Sequence, residues 1–169
     1  MKNKHKYEKY ILGVDPGSTK IGYGVISYKN NGAKPDAVEY GYIDLKGVEK
    51  EQERLLQLYK DLKLIFKKYK FDSIAVESIY FFKNTKTFTP VVQARGVILL
   101  AASEHGVKVF EYTPLVVKQT ISGYGKSDKS LIERLVKSSL DISTKIRPDD
   151  ASDALAIALC HLRHLLIKP

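Results

Sequence analysis

ILGVDPG at residues 11–17 and SIAVE at residues 73–77 are two short apolar runs, each closed by an acid: Asp15 in the first, Glu77 in the second. A brief, unbroken apolar run bounded by turn chemistry is the pattern of a strand buried on both faces. If the two strands lie side by side and parallel, their carboxyl ends bring Asp15 and Glu77 together. That edge is where open α/β sheets collect ligands.

Outward from these runs, residues 23–27 resume after Gly22 as a second strand, and residues 38–45 follow the Asn30-Asn31-Gly32 turn as a third. Three antiparallel strands therefore open the chain. Leu55, Leu58, Tyr59, Leu62, Ile65, Phe66 and Tyr69 recur at the three-and-four spacing of one helical face, with lysines elsewhere on the cylinder. Beyond the strand at 73–76, the pattern predicts an Ala-rich apolar helix over 88–104 and a strand over 107–112. A helix around Leu131, Ile132, Leu135 and Val136 follows, then a last helix from near Pro148 to about residue 166. This order predicts an α/β fold with a mixed five-stranded sheet, its first three strands antiparallel and helices on both faces. Residues 1–169 read as one domain, with residues 1–9 a flexible basic arm.

Twenty-eight Lys and Arg against nineteen Asp and Glu leave a net charge of +9, a field that attracts polyanions. No apolar run approaches the roughly 18 residues of a membrane span, so nucleic acid and not membrane is the expected partner. Cys160 is the only cysteine, which excludes an intrachain disulfide or a thiolate metal cluster and suits a cytoplasmic setting.

Asp150 and Asp153 are three apart and share one helical face. Four carboxylates at one place repel strongly unless cations neutralise them, and oxygen-only ligands suit Mg²⁺, with Mn²⁺ as substitute, better than zinc. Two such ions activate a water and stabilise the leaving oxygen in phosphodiester hydrolysis. Read singly, the acids also have plainer roles: Asp15 can open an Asx turn, and Asp150 and Asp153 can cap a helix. Glu77, ending an apolar strand ahead of Ile79, Tyr80, Phe81 and Phe82, has no evident turn role.

GVDPGSTKIGYGVI (13–26), AVESIYFFKN (75–84), QARGVILLAA (93–102), FEYTPLVVKQTISGYGKSDK (110–129) and PDDASDALAIALCH (148–161) resemble, in order and spacing, successive motifs of the RuvC family of Holliday-junction resolvases. The likeness covers about residues 10–165. It implies an RNase H-like fold, a homodimer that makes paired metal-dependent cuts in four-way DNA junctions during recombination and repair, and association with a branch-migration complex. The resemblance places the family's metal-binding, catalytic acids on Asp15, Glu77, Asp150 and Asp153, none of them replaced, and implies two ions per site. Asp149 is the neighbour that could share the metal role; the DxxD spacing selects Asp150. The resemblance also assigns Lys118 and Lys129 to the scissile phosphate and Tyr80 to stacking on unpaired bases. Lys83, Lys86 and Lys126 are expected on flanking phosphates. The apolar helix at 88–104, with Ala94, Gly96, Ala101 and Ala102, is the expected dimer contact.

Some motifs mislead. Gly123-Tyr124-Gly125-Lys126-Ser127 imitates a phosphate loop, but Thr120 stands where that pattern needs glycine. His161 and His164 lack the intervening Glu of zinc proteases and read as packing or surface residues. A sugar-kinase or actin-like ATPase would explain Asp15-Pro16-Gly17-Ser18-Thr19, yet it requires a second related domain. The nearer rival is a YqgF-type nuclease acting on RNA, and a third is a junction-binding module without catalysis.

Overall fold

The structure, a computed structural model, describes residues 8–30, 32–78 and 85–167, the side chains of residues 85–87 excepted. The elements run β1 (Lys9–Asp15), β2 (Lys20–Tyr28), β3 (Asp36–Asp44), α1 (Glu51–Lys68), β4 (Phe71–Glu77), α2 (Thr85–Glu104) and β5 (Lys108–Tyr112). Then come α3 (Pro114–Ser122), α4 (Lys129–Ser139) and α5 (Asp149–Ile167). Among the described residues one sheet of five strands forms in the order β3-β2-β1-β4-β5. The pairs β1–β2 and β2–β3 are antiparallel, and β1–β4 and β4–β5 are parallel.

Strand alternation divides the core into two layers. Leu12 and Val14 point to the face covered by α1 and α2, together with Ile74 and Val76. Ile11, Ile26 and Ala75 point to the opposite face, against α5, α3 and α4. The continuous apolar runs of β1 and β4 follow from this burial on both sides. Helices on both faces are as the sequence predicts.

Three boundaries differ from expectation. β1 takes in Lys9, drawn into the ladder opposite Tyr28, so the expected basic arm overruns the sheet by one residue; residues 1–7 lie outside those described. α2 starts at Thr85 and not near 88, which leaves Pro90 inside the helix without an N–H to donate. α3 was not anticipated, although its ends are well signalled. The Thr113 hydroxyl accepts from the Val116 amide at 3.1 Å, Pro114 occupies the first turn, and Gly123 closes the helix at φ 81°. Among the described residues no helix is long and apolar enough to cross a membrane.

Candidate active site

The parallel register of β1 and β4 sets Val14 opposite Val76, so the next residues, Asp15 and Glu77, leave the sheet side by side. Two-residue periodicity turns both towards the α5 face, the same side as Ile11 and Ala75. α5 lies across this face because glycines leave room for it. A Cβ added to Gly13 would stand 2.8 Å from the Ala158 amide nitrogen, and one on Gly24 would stand 2.8 Å from Leu155 Cδ2. With the helix seated so low, Asp150 and Asp153 in its opening turns face the ends of β1 and β4.

Electrostatics register the convergence. Burial, and then the carboxylates of Glu77, Asp153 and Asp150, push the Asp15 carboxyl up to about 8, with Lys129 opposing. Glu77 is raised as well, by burial and Asp153, while the hydrogen bond from Asp15 and the charges of Lys118 and Lys129 pull the other way. Among the described residues no three Asp, Glu, His or Cys side chains stand so as to hold an ion as they are; the acids converge without forming a closed cage. The donor chemistry nevertheless fits a hard divalent cation: half-buried carboxylate oxygens, no thiolate, and repulsion expressed in the raised Asp15 and Glu77.

Two lysines complete the site. Lys129, the first residue of α4, donates to Asp153 at 2.9 Å and lies 3.7 Å from Asp149. Burial opposes its charge, but Asp153, Asp149 and Asp150 raise its pKa. Lys118 on α3 lines the same cleft of about 190 Å³ as Glu77, Lys129 and Asp153. Asp149 is more exposed than Asp150 and lies within ion-pair reach of Lys129.

Sequence reasoning did not single out Arg163, which ties this constellation together. From α5 it donates to the carbonyls of Thr120 at 2.6 Å and Ile121 at 3.1 Å, the C-terminal turn of α3, and it reaches the Ser139 hydroxyl of α4. The lysine-bearing helices are thereby fastened to the helix that carries two of the acids. His161, read as packing, is buried: its ring nitrogens meet the Tyr112 hydroxyl at 2.7 Å and the Ser73 hydroxyl at 2.8 Å. Lys126 is exposed in the turn between α3 and α4. Tyr80 and Lys83 lie outside the described residues, as does the Lys86 side chain.

The expected dimer contact on α2 needs correction. Ala94, Ala101 and Ala102 are buried within the chain's own core, where they let α2 approach α1. The exposed stripe of the helix is instead Val92, Gly96 and Leu100, spaced by four residues.

A family model described as crossover junction endodeoxyribonuclease RuvC matches residues 11–161. A crossover junction endodeoxyribonuclease RuvC of Caldicellulosiruptor saccharolyticus is 45% identical over 152 residues, covering 90% of this chain and 91% of the relative. One from Halothermothrix orenii is 46% identical over 151 residues, covering 89% and 90%. Among solved structures, Thermus thermophilus RuvC in complex with Holliday junction substrate superimposes with a TM-score of 0.88 at 30% identity, covering 94% of this chain and 96% of that one. The fold is accordingly RNase H-like, as the sequence resemblance implied.

Proposed function

The chain belongs to the RuvC family of crossover junction endodeoxyribonucleases, and we propose that Asp15, Glu77, Asp150 and Asp153 are the ligands through which it cuts DNA. It is a nuclease that resolves Holliday junctions, and its chemistry depends on a divalent metal. The finer reading is two Mg²⁺ ions per site, with Mn²⁺ able to replace them, acting in the cytoplasm. The observation that supports the metal site is the convergence of four acids: the parallel register of β1 and β4 sets Asp15 beside Glu77, and Asp153 and Asp150 of α5 act on Asp15. A site built to this degree of repulsion is built for cations.

A bound divalent cation would supply an activated water and charge stabilisation at the leaving oxygen. The protein's own residues do the rest. Asp15 and Glu77 serve as oxygen ligands in their ionised form, which a bound cation favours. Lys118 of α3 and Lys129 of α4, both lining the cleft, offer positive charge to the nonbridging oxygens of the scissile phosphate, where charge builds in the transition state. Arg163 keeps those helices at a fixed distance from the acids. Lys126, Lys83, Lys86 and Tyr80 are assigned to the DNA on either side.

One site hydrolyses one strand, so paired incision calls for two chains related by a two-fold axis. The exposed Val92, Gly96 and Leu100 stripe of α2 supports a homodimer formed there; no atom lies within 4 Å of a Cβ on Gly96, which leaves room for a close partner.

The test of the ligand set is to make Asp15→Asn, Glu77→Gln, Asp150→Asn and Asp153→Asn singly. Each is expected to abolish cutting of a four-way junction in Mg²⁺ while still binding it, since the basic surface is untouched. Near-normal cutting by any one of them removes that residue from the site.

A further inference from the structure

We propose that the turn joining α3 to α4, residues 123–128, is a rigid docking finger for a duplex arm of the DNA, with Tyr124 as its contact residue. The inference rests on the nuclease reading above and adds to it a residue that neither the acid cluster nor the lysines require. Tyr124 is 61% exposed, a large aromatic set mostly in solvent. The sequence around it, Ser122-Gly123-Tyr124-Gly125-Lys126-Ser127, imitates a phosphate loop but does not form one.

The turn is held firmly beneath its exposed tip. The Ser122 hydroxyl donates to the Lys118 carbonyl at 2.7 Å and lies 2.7 Å from the Ser127 hydroxyl. Ser127 Oγ donates in turn to the Tyr124 carbonyl at 2.8 Å, and Ser127 itself is buried. Gly123 adopts φ 81°, a left-handed conformation that favours glycine and turns the chain out of α3. Asp128 then caps α4 through the Leu131 amide at 2.8 Å.

A turn tied down in this way fixes the backbone that carries Tyr124 before any ligand arrives, so less conformational entropy is lost on contact than for a loose loop. Its position is set by the site on both sides. Lys118, whose carbonyl anchors Ser122, and Lys129, the residue after the Asp128 cap, both line the catalytic cleft. Lys126 adds an exposed positive charge two residues from Tyr124. An exposed aromatic and an exposed lysine two residues apart, in a turn next to a site for a scissile phosphate, match the chemistry of a duplex sugar–phosphate backbone: the ring lies against a deoxyribose, and the ammonium meets a phosphate.

Junction binding is measured with the full chain in Ca²⁺ across a salt series, for wild type, Tyr124→Ala, Tyr124→Phe and Lys126→Ala, with thermal melting alongside. Tyr124→Ala is expected to weaken the junction Kd about tenfold, with Tyr124→Phe restoring most of it, because an aromatic face is what stacking needs. The slope of log Kd against log salt should stay as in wild type for Tyr124→Ala and fall by about one for Lys126→Ala. The melting temperatures of both Tyr124 variants should match wild type. Wild-type affinity in Tyr124→Ala overturns the proposal, as does an affinity loss matched by a lower melting temperature, which marks Tyr124 as structural. Failure of the wild type itself to cut a junction in Mg²⁺ would instead overturn the nuclease reading.

Discussion

Gly22 lies directly under Asp150: a Cβ added to Gly22 would collide with the Asp150 carbonyl oxygen. The same glycine is the cross-strand partner of Asp15. One missing methyl group therefore sets how close the acids of α5 come to the acid of β1. Gly22→Ala is expected to lift the start of α5, costing about 1–3 kcal/mol of stability through overpacking. Junction cutting should fall by about 100-fold, because misplacement on the order of 1 Å is enough for that. Denaturant unfolding and single-turnover cleavage check the two parts.

Much of this site is legible in the sequence, for physical reasons. A carboxylate closing a short buried-type run is out of place unless it has work to do at a strand end, and this draws attention to Asp15 and Glu77. Helical spacing places Asp150 and Asp153 on one face. The role of Gly22 is not legible, because it depends on strand register and on the seat of a helix more than 120 residues away in sequence. Arg163 on the last helix looks like any solvated charge until the Thr120 and Ile121 carbonyls are placed opposite it. Ala94, Ala101 and Ala102 misled because small residues look alike whether they admit α1 or a second protomer.

Asp15 also makes the metal-free protein sensitive to pH in a definite direction. Its carboxyl sits at about 8 when folded, against an ordinary value of 3.8, and Glu77 is shifted the same way. The folded chain then binds more protons than the unfolded one between those limits. The stability contributed by the protonated Asp15 is complete below the unfolded value and is lost as pH rises through about 8. In EDTA, the melting temperature is expected to fall between about pH 5 and about pH 8.5, and Asp15→Asn should flatten that slope. A melting temperature that rises over this range, with the same slope in the variant, goes against the acid cluster.

Among the described residues, Lys118 and Lys129 differ from the other lysines by lining the cleft with Glu77 and Asp153. Lys118→Ala and Lys129→Ala are each expected to slow cutting by about 100-fold, the scale for losing one preorganised positive donor at a reacting centre. Junction affinity should change by no more than about threefold, since each removes one of many phosphate contacts. Pre-steady-state cleavage paired with binding in Ca²⁺ separates the effects; equal, small losses at both positions would mark the lysines as ordinary surface charge.

The most direct test compares substrates. The wild-type chain is incubated in Mg²⁺ with a four-way DNA junction, a linear duplex and a structured RNA of matched sequence, and the products are mapped on denaturing gels. Paired cuts at symmetric positions across the junction, with linear duplex and RNA left intact, are the expected result; cleavage of RNA or linear duplex as readily as the junction would contradict the assignment.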